Sequence, residues 1–138
     1  GLRGAYTSMM WMTSSPYNMQ KRDPTREQSE KAYDLASGNF IKHQDANDMI
    51  YAFDASRTYN PEPKLSSIKC VFYAVNSADD EVNPPELGIL DRDIRLVPKG
   101  KYILIPWSEK TSGHGTHSNP TVWGDYLKQL LEASEPRH

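Results

Sequence analysis

Two short stretches carry the residue types that acid–base chemistry needs. The first is Asp79-Asp80-Glu81; the second is Gly113-His114-Gly115-Thr116-His117. A neutral imidazole accepts a proton near neutral pH, and a carboxylate on its other ring nitrogen fixes the tautomer and stabilises the imidazolium that forms. An acid on one loop and a histidine on a later one can supply both parts. The nucleophile is not evident: no serine lies in Gly-x-Ser-x-Gly, and none leads from a strand into a helix. Each stretch also has a plainer reading. The acids suit a solvated turn, and the histidines suit a loop surface. His114-x-x-His117 together with an acid could hold a metal ion, although that spacing in a loop is a weak pattern.

The elements that would position these residues are legible. Cys70-Val71-Phe72-Tyr73-Ala74-Val75 is a short apolar run rich in β-branched and aromatic residues. It reads as a strand buried on both faces, with Cys70 a buried small hydrophobe. A polar loop follows from Asn76 to Pro85, holding the acids. Pro85 suits the first turn of a helix running to about Val97, stopped by Lys99-Gly100. Residues 101–105 read as the next strand, and the loop from Ser108 to Asn119 holds the histidines. Pro120 opens a last helix with an apolar stripe that includes Val122, Trp123, Tyr126, Leu127 and Leu130. A helix between two strands predicts parallel pairing. In open sheets of this kind, sites form in the loops beyond the carboxyl ends of the strands, where both stretches lie. Two strands are too few for a doubly wound sheet, which predicts that further strands lie in a preceding half or in another chain.

Upstream of Pro61-Glu62-Pro63 the chain has no strand signal. Residues 6–19 are rich in methionine and aromatics, and Pro16 is expected to stop any helix there. Thr25 and Gln28 form a capping-box pattern, so a helix is expected over about Arg26–Ala36, with Gly38 as its stop. Asp45 precedes a second helix, in which Ala46, Met49, Ile50 and Phe53 recur at helical spacing and which frays by Tyr59-Asn60-Pro61.

Composition excludes some classes. The 138 residues are 37% hydrophobic, with net charge −2 and mixed signs along the chain, so no electrostatic case exists for binding nucleic acid or an anionic membrane. No stretch has the length of a membrane span. One cysteine rules out a disulfide within the chain. The start at Gly1, without a signal-peptide layout, suggests processing or truncation and leaves localisation unread.

The motifs resemble those of the homoserine O-acetyltransferase-like branch of the α/β-hydrolase superfamily, over most of the chain and most closely from residue 45 on. Asp45-Ala46-Asn47 is similar to an Asp-Ala-Asn motif in that family's helical cap. Asn76-Ser77-Ala78-Asp79-Asp80-Glu81-Val82-Asn83-Pro84-Pro85-Glu86 is similar to the loop carrying the triad acid, which the family's Asp-x-x-x-Pro-Pro-Glu spacing places on Asp80, and Gly113-His114 to the Gly-His carrying the triad histidine. The resemblance implies an α/β fold class. Residues 1–63 would form a helical lid and residues 64–138 the C-terminal part of the α/β-hydrolase core. It implies a serine-dependent acyl transfer with Asp80 and His114 as catalytic residues, and no cofactor or metal. It also implies an N-terminal half of the same enzyme, missing or present as a second chain, that carries the serine and the oxyanion hole. The substrate would be a small ester or acyl compound, and a homodimer is allowed. Gly115 stands where family acetyltransferases carry an aspartate, which leaves hydrolase and transferase both open. A non-catalytic binding or assembly module is the alternative.

Overall fold

The computed structural model describes residues 1–134. The chain divides into two compact units, Gly1–Tyr59 and Asn60–His138. Among the described residues no helix is long and apolar enough to cross a membrane.

The first unit is helical throughout. It comprises α1 (Leu2–Thr13), α2 (Pro16–Arg22), α3 (Arg26–His43) and α4 (Ala46–Asp54). Local capping explains most of its boundaries. Ser15 caps α2, accepting from the Asn18 N–H, and Pro16 takes the first helical position, where its missing N–H costs nothing. As expected, the preceding helix ends before Pro16, at Thr13, and Pro16 then opens a new one. Thr25 and Gln28 form the reciprocal capping box of α3. The Asp45 carboxylate accepts from the N–H groups of Asn47 and Asp48 at the start of α4. The expected stop at Gly38 is absent, since α3 runs on to His43. A glycine inside a helix costs only about 1 kcal/mol relative to alanine, and Phe40, two residues later, stacks at 5.2 Å on Tyr6 of α1. The α1–α3 contact also holds Thr7 against the Tyr33 hydroxyl at 2.6 Å and buries Ser37, which accepts from Arg3 Nη1 at 3.0 Å.

The second unit is built on β1 (Phe72–Ser77) and β2 (Gly100–Ile105), paired in parallel with Ala74 opposite Tyr102 and Ser77 opposite Ile105. The connection between them is not the single helix expected from Pro85 to Val97. Pro85–Leu87 forms a 3₁₀ turn, Gly88 adopts φ +64°, α5 covers Ile89–Asp93, and Ile94–Leu96 closes in a second 3₁₀ turn. A left-handed glycine inside that stretch breaks the α-helical hydrogen-bond ladder. The end of this crossover packs on β2: an added Cβ at Gly100 would lie 2.8 Å from the Ile94 carbonyl oxygen and 2.9 Å from Val97 Cβ. Gly100 is therefore needed for close backbone approach. The last helix, α6 (Pro120–Ser134), contacts β1.

These observations overturn the expected fold class. The described residues are mostly helical, with one two-stranded parallel sheet, and not the C-terminal part of an α/β-hydrolase core under a helical lid. The physical reason is that only two runs of the sequence favour extended backbone, whereas helical segments and loops make up the rest of the described residues. A sheet of two strands cannot be covered on both faces like a doubly wound core. The expected double-sided burial of the first strand fails accordingly: Phe72 and Val75 are exposed, and so is Cys70, which lies before the strand. The buried apolar residues of the described chain are Val97, Ile103 and Ile105, and the buried end of β1 is polar, Asn76 and Ser77. Both residues were expected in the following loop and instead end the strand. Burial is thus concentrated at the carboxyl ends of the two strands.

Candidate acid–histidine site

The two stretches singled out by residue type meet at this buried end. Asp80 follows β1 and is 6% exposed. Its Oδ1 accepts the backbone N–H groups of Val82 at 2.8 Å and Asn83 at 3.0 Å, an Asx turn that holds the carboxylate against its own loop. His114 comes from the loop after β2. Its Nδ1 lies 3.1 Å from Asp80 Oδ2 and 3.2 Å from Oδ1, across 34 residues of sequence. Burial by itself pushes the Asp80 carboxyl up, but the Asn83 N–H, the His114 ring and the Val82 N–H act the other way and prevail, so its pKa lies below the ordinary aspartate value. Asp80 is therefore ionised near neutral pH and can only accept. The proton of the shared bond accordingly sits on Nδ1 of His114, which leaves Nε2 as the basic nitrogen. No hydrogen bond to Nε2 forms among the described residues.

Asp79, next to Asp80, does a different job. Its Oδ2 accepts the Thr111 hydroxyl at 3.0 Å and the Gly113 N–H at 2.9 Å, whereas its Oδ1 is buried with no hydrogen-bond partner. Gly113 has φ +58°, a left-handed conformation that glycine adopts without strain. Ser77 Oγ donates to the Gly113 carbonyl at 3.2 Å, which ties up the nearest strand-end hydroxyl. Thr116 Oγ1 accepts the Ser112 N–H at 2.8 Å. The loop before and after His114 is thus fixed from both sides by side-chain-to-backbone bonds.

His117 does not join the acids. Its Nδ1 is engaged with the His114 carbonyl oxygen, and its ring lies 4.9 Å from the His114 ring, centroid to centroid. Among the described residues no three His, Cys, Asp or Glu side chains gather to hold a metal ion. Glu81 is exposed. The acid–histidine pair opens on a depression of about 520 Å³ walled by Tyr73, Val75, Leu90 and Trp123. Such a depression can receive a small, partly apolar group beside Nε2.

No family model, curated protein or solved structure matches this chain. The site therefore rests on its geometry. The roles of Asp79, Thr111 and Ser77 were not legible in the sequence. A carboxylate directly before the paired acid, together with a threonine and a glycine just ahead of the histidine, was the available signal, but it identifies no partners until the two loops are brought together.

Proposed function

We propose that Asp80 and His114 are the acid–base half of a serine-dependent acyl-transfer site, whose serine is carried by polypeptide outside these residues. The observation that supports the reading is the 3.1 Å contact between His114 Nδ1 and the buried, ionised Asp80. It orients the imidazole and keeps Nε2 available as a base. The motif likeness to acyltransferase loops around Asp80 and His114 favours the same chemistry.

In this mechanism, Nε2 removes the proton from the serine hydroxyl as its oxygen attacks the carbonyl carbon of the substrate. Asp80 stabilises the imidazolium through the Nδ1–H bond. The imidazolium then returns the proton to the leaving alcohol, and an acyl-enzyme remains. Water or a second alcohol, deprotonated by the same Nε2, completes the transfer and restores the serine. The depression beside His114 would hold the acyl group.

The test uses the protein isolated with any polypeptide that accompanies it. A fluorophosphonate probe and 4-nitrophenyl acetate report the nucleophile and the turnover, and intact mass identifies the labelled chain. The expected result is one labelled serine on a companion polypeptide, with hydrolysis about 10³-fold slower or worse in His114→Ala. Undiminished activity in that variant removes His114 from the mechanism. A folded chain with no companion and no labelled serine favours the binding or assembly module instead.

A further inference from the structure

We infer that Asp79 is a positioning residue for His114: it holds the histidine loop in register with Asp80 through a neutral-acceptor function, not through its charge. The inference rests on the acyl-transfer reading only for its functional meaning. Its structural content stands on the contacts of Asp79 itself.

Asp79 and Asp80 are neighbours at the end of β1, yet they face different parts of the same loop. Asp80 meets the histidine ring. Asp79 reaches the backbone one residue earlier, at the Gly113 N–H, and the hydroxyl of Thr111, and both bonds end on the same oxygen, Oδ2. Thr111 is 1% exposed and also bonds within its own turn, with Oγ1 accepting the Ser108 N–H at 3.2 Å and lying 2.9 Å from the Ser108 carbonyl. A single carboxylate oxygen therefore clamps the ascending side of the loop, three residues and one residue before His114.

Elsewhere the loop is held by Ser77 Oγ on the Gly113 carbonyl and by Thr116 Oγ1 on the Ser112 N–H, and the Gly113 N–H is held by Asp79. Gly113 has a conformational range that most residues lack, and its φ of +58° is one well among several. An acceptor on its N–H selects that well. Rotation at Gly113 would swing the His114 ring away from Asp80, because His114 follows directly. The other Asp79 oxygen, Oδ1, is buried without a partner. Both donors to Asp79 Oδ2, an amide N–H and a hydroxyl, are neutral. The geometry uses one oxygen as an acceptor and leaves the other idle. Asparagine has the same shape: its amide oxygen can take both bonds, and its NH₂ replaces an oxygen that bonds to nothing.

The experiment reads the His114 tautomer in the full chain by imidazole ¹⁵N chemical shifts at a pH where the ring is neutral. It needs neither a nucleophile nor a substrate. In the wild type, and in Asp79→Asn, the expected form is Nδ1–H, donated to Asp80. In Asp79→Ala the Nδ1–H form is expected to give way to a mixture of tautomers, while circular dichroism still reports a folded chain. A role confined to stability would lower the melting temperature of Asp79→Ala and leave the tautomer unchanged, and that result overturns the inference. Loss of the Nδ1–H form in folded Asp79→Asn also overturns it, since charge and not acceptor geometry would then be in control. Should Asp79→Ala fail to fold, Thr111→Val decides: it removes one of the two donors to Oδ2 and must reduce the Nδ1–H fraction, and an unchanged fraction counts against the clamp. An Asp79-dependent tautomer without serine labelling in the isolated protein retains the clamp and discards acyl transfer. The reverse pair of results retains acyl transfer and discards the clamp.

Discussion

The two units hold their shape by different means. In residues 1–59 the helix ends are held locally: Ser15, Thr25 and Asp45 each cap a helix within three residues, exposed ion pairs such as Arg26–Glu30 span one turn, and the long-range bonds, Arg3 to Asp34 and Ser37 and Thr7 to Tyr33, join α1 to α3. Its fully buried side chain is a polar one, Ser37. In the second unit the decisive bonds cross more than thirty residues, from Asp79 and Asp80 to Thr111, Gly113 and His114, over the three buried apolar side chains Val97, Ile103 and Ile105. Local bonds make helices that tolerate substitution one at a time. Long-range bonds to backbone groups make a site in which each partner fixes the others.

The contrast can be broken most visibly at the acid–histidine pair. Asp80→Asn places an amide where His114 needs a pure acceptor and is expected to lower acyl-transfer turnover by about 10⁴-fold through the wrong tautomer. Steady-state kinetics on the protein isolated with its companion polypeptide, compared with Asp45→Asn in the first unit, would show whether the loss is specific to the site. The same variant tests the electrostatics. Asp80 has a folded pKa below its unfolded value, so its contribution to stability is complete above the ordinary aspartate range and is lost as pH falls through the folded value. The difference in unfolding free energy between wild type and Asp80→Asn should be constant near neutral pH and shrink below about pH 4, the ordinary aspartate range. Urea titrations across that range would check it.

Glycine-to-alanine changes should have opposite signs in the two units. At Gly100 the new methyl meets the Ile94 carbonyl and Val97 at under 3 Å, and overpacking of that kind costs about 1–3 kcal/mol. At Gly38, inside α3, an added Cβ meets nothing within 4 Å, and alanine there should stabilise by about 0.5–1 kcal/mol. Chemical denaturation of both variants measures the pair, and equal signs would refute the contrast. Thr25→Ala, which removes half of the α3 capping box, should cost about 1 kcal/mol. Smallest of all, Glu30→Gln breaks an exposed i,i+4 pair with Arg26 and should change stability by no more than about 0.5 kcal/mol.

Much of the first unit was legible because its signals are local. The Thr25–Gln28 box and the Asp45 cap each act within one turn, and both are present. The helix stop expected at Gly38 failed because the contact between Phe40 and Tyr6 is tertiary. The helix before Pro16 does stop short of it, at Thr13, but the second helix that Pro16 opens under the Ser15 cap was not foreseen. In the second unit both strands and their parallel pairing were legible, with shifts of one or two residues. What covers them was not. An apolar run such as residues 70–75 reads the same whether its faces are covered or open, so the exposure of Cys70 and Val75 and the loss of the expected hydrolase core came only with the structure.

The sequence by itself determined where α3, α4 and α6 begin, where two strands lie, and that an acid pair and a histidine sit on consecutive strand-end loops. These follow from capping, propensity and spacing, which act over a few residues. Only the tertiary structure decided how the two aspartates divide their work. Asp79 and Asp80 are chemically identical, and their roles differ because one faces a histidine ring and the other a backbone N–H more than thirty residues away. That division depends on the meeting of two distant loops: the motif likeness singled out Asp80, but no local pattern gave Asp79 its partners.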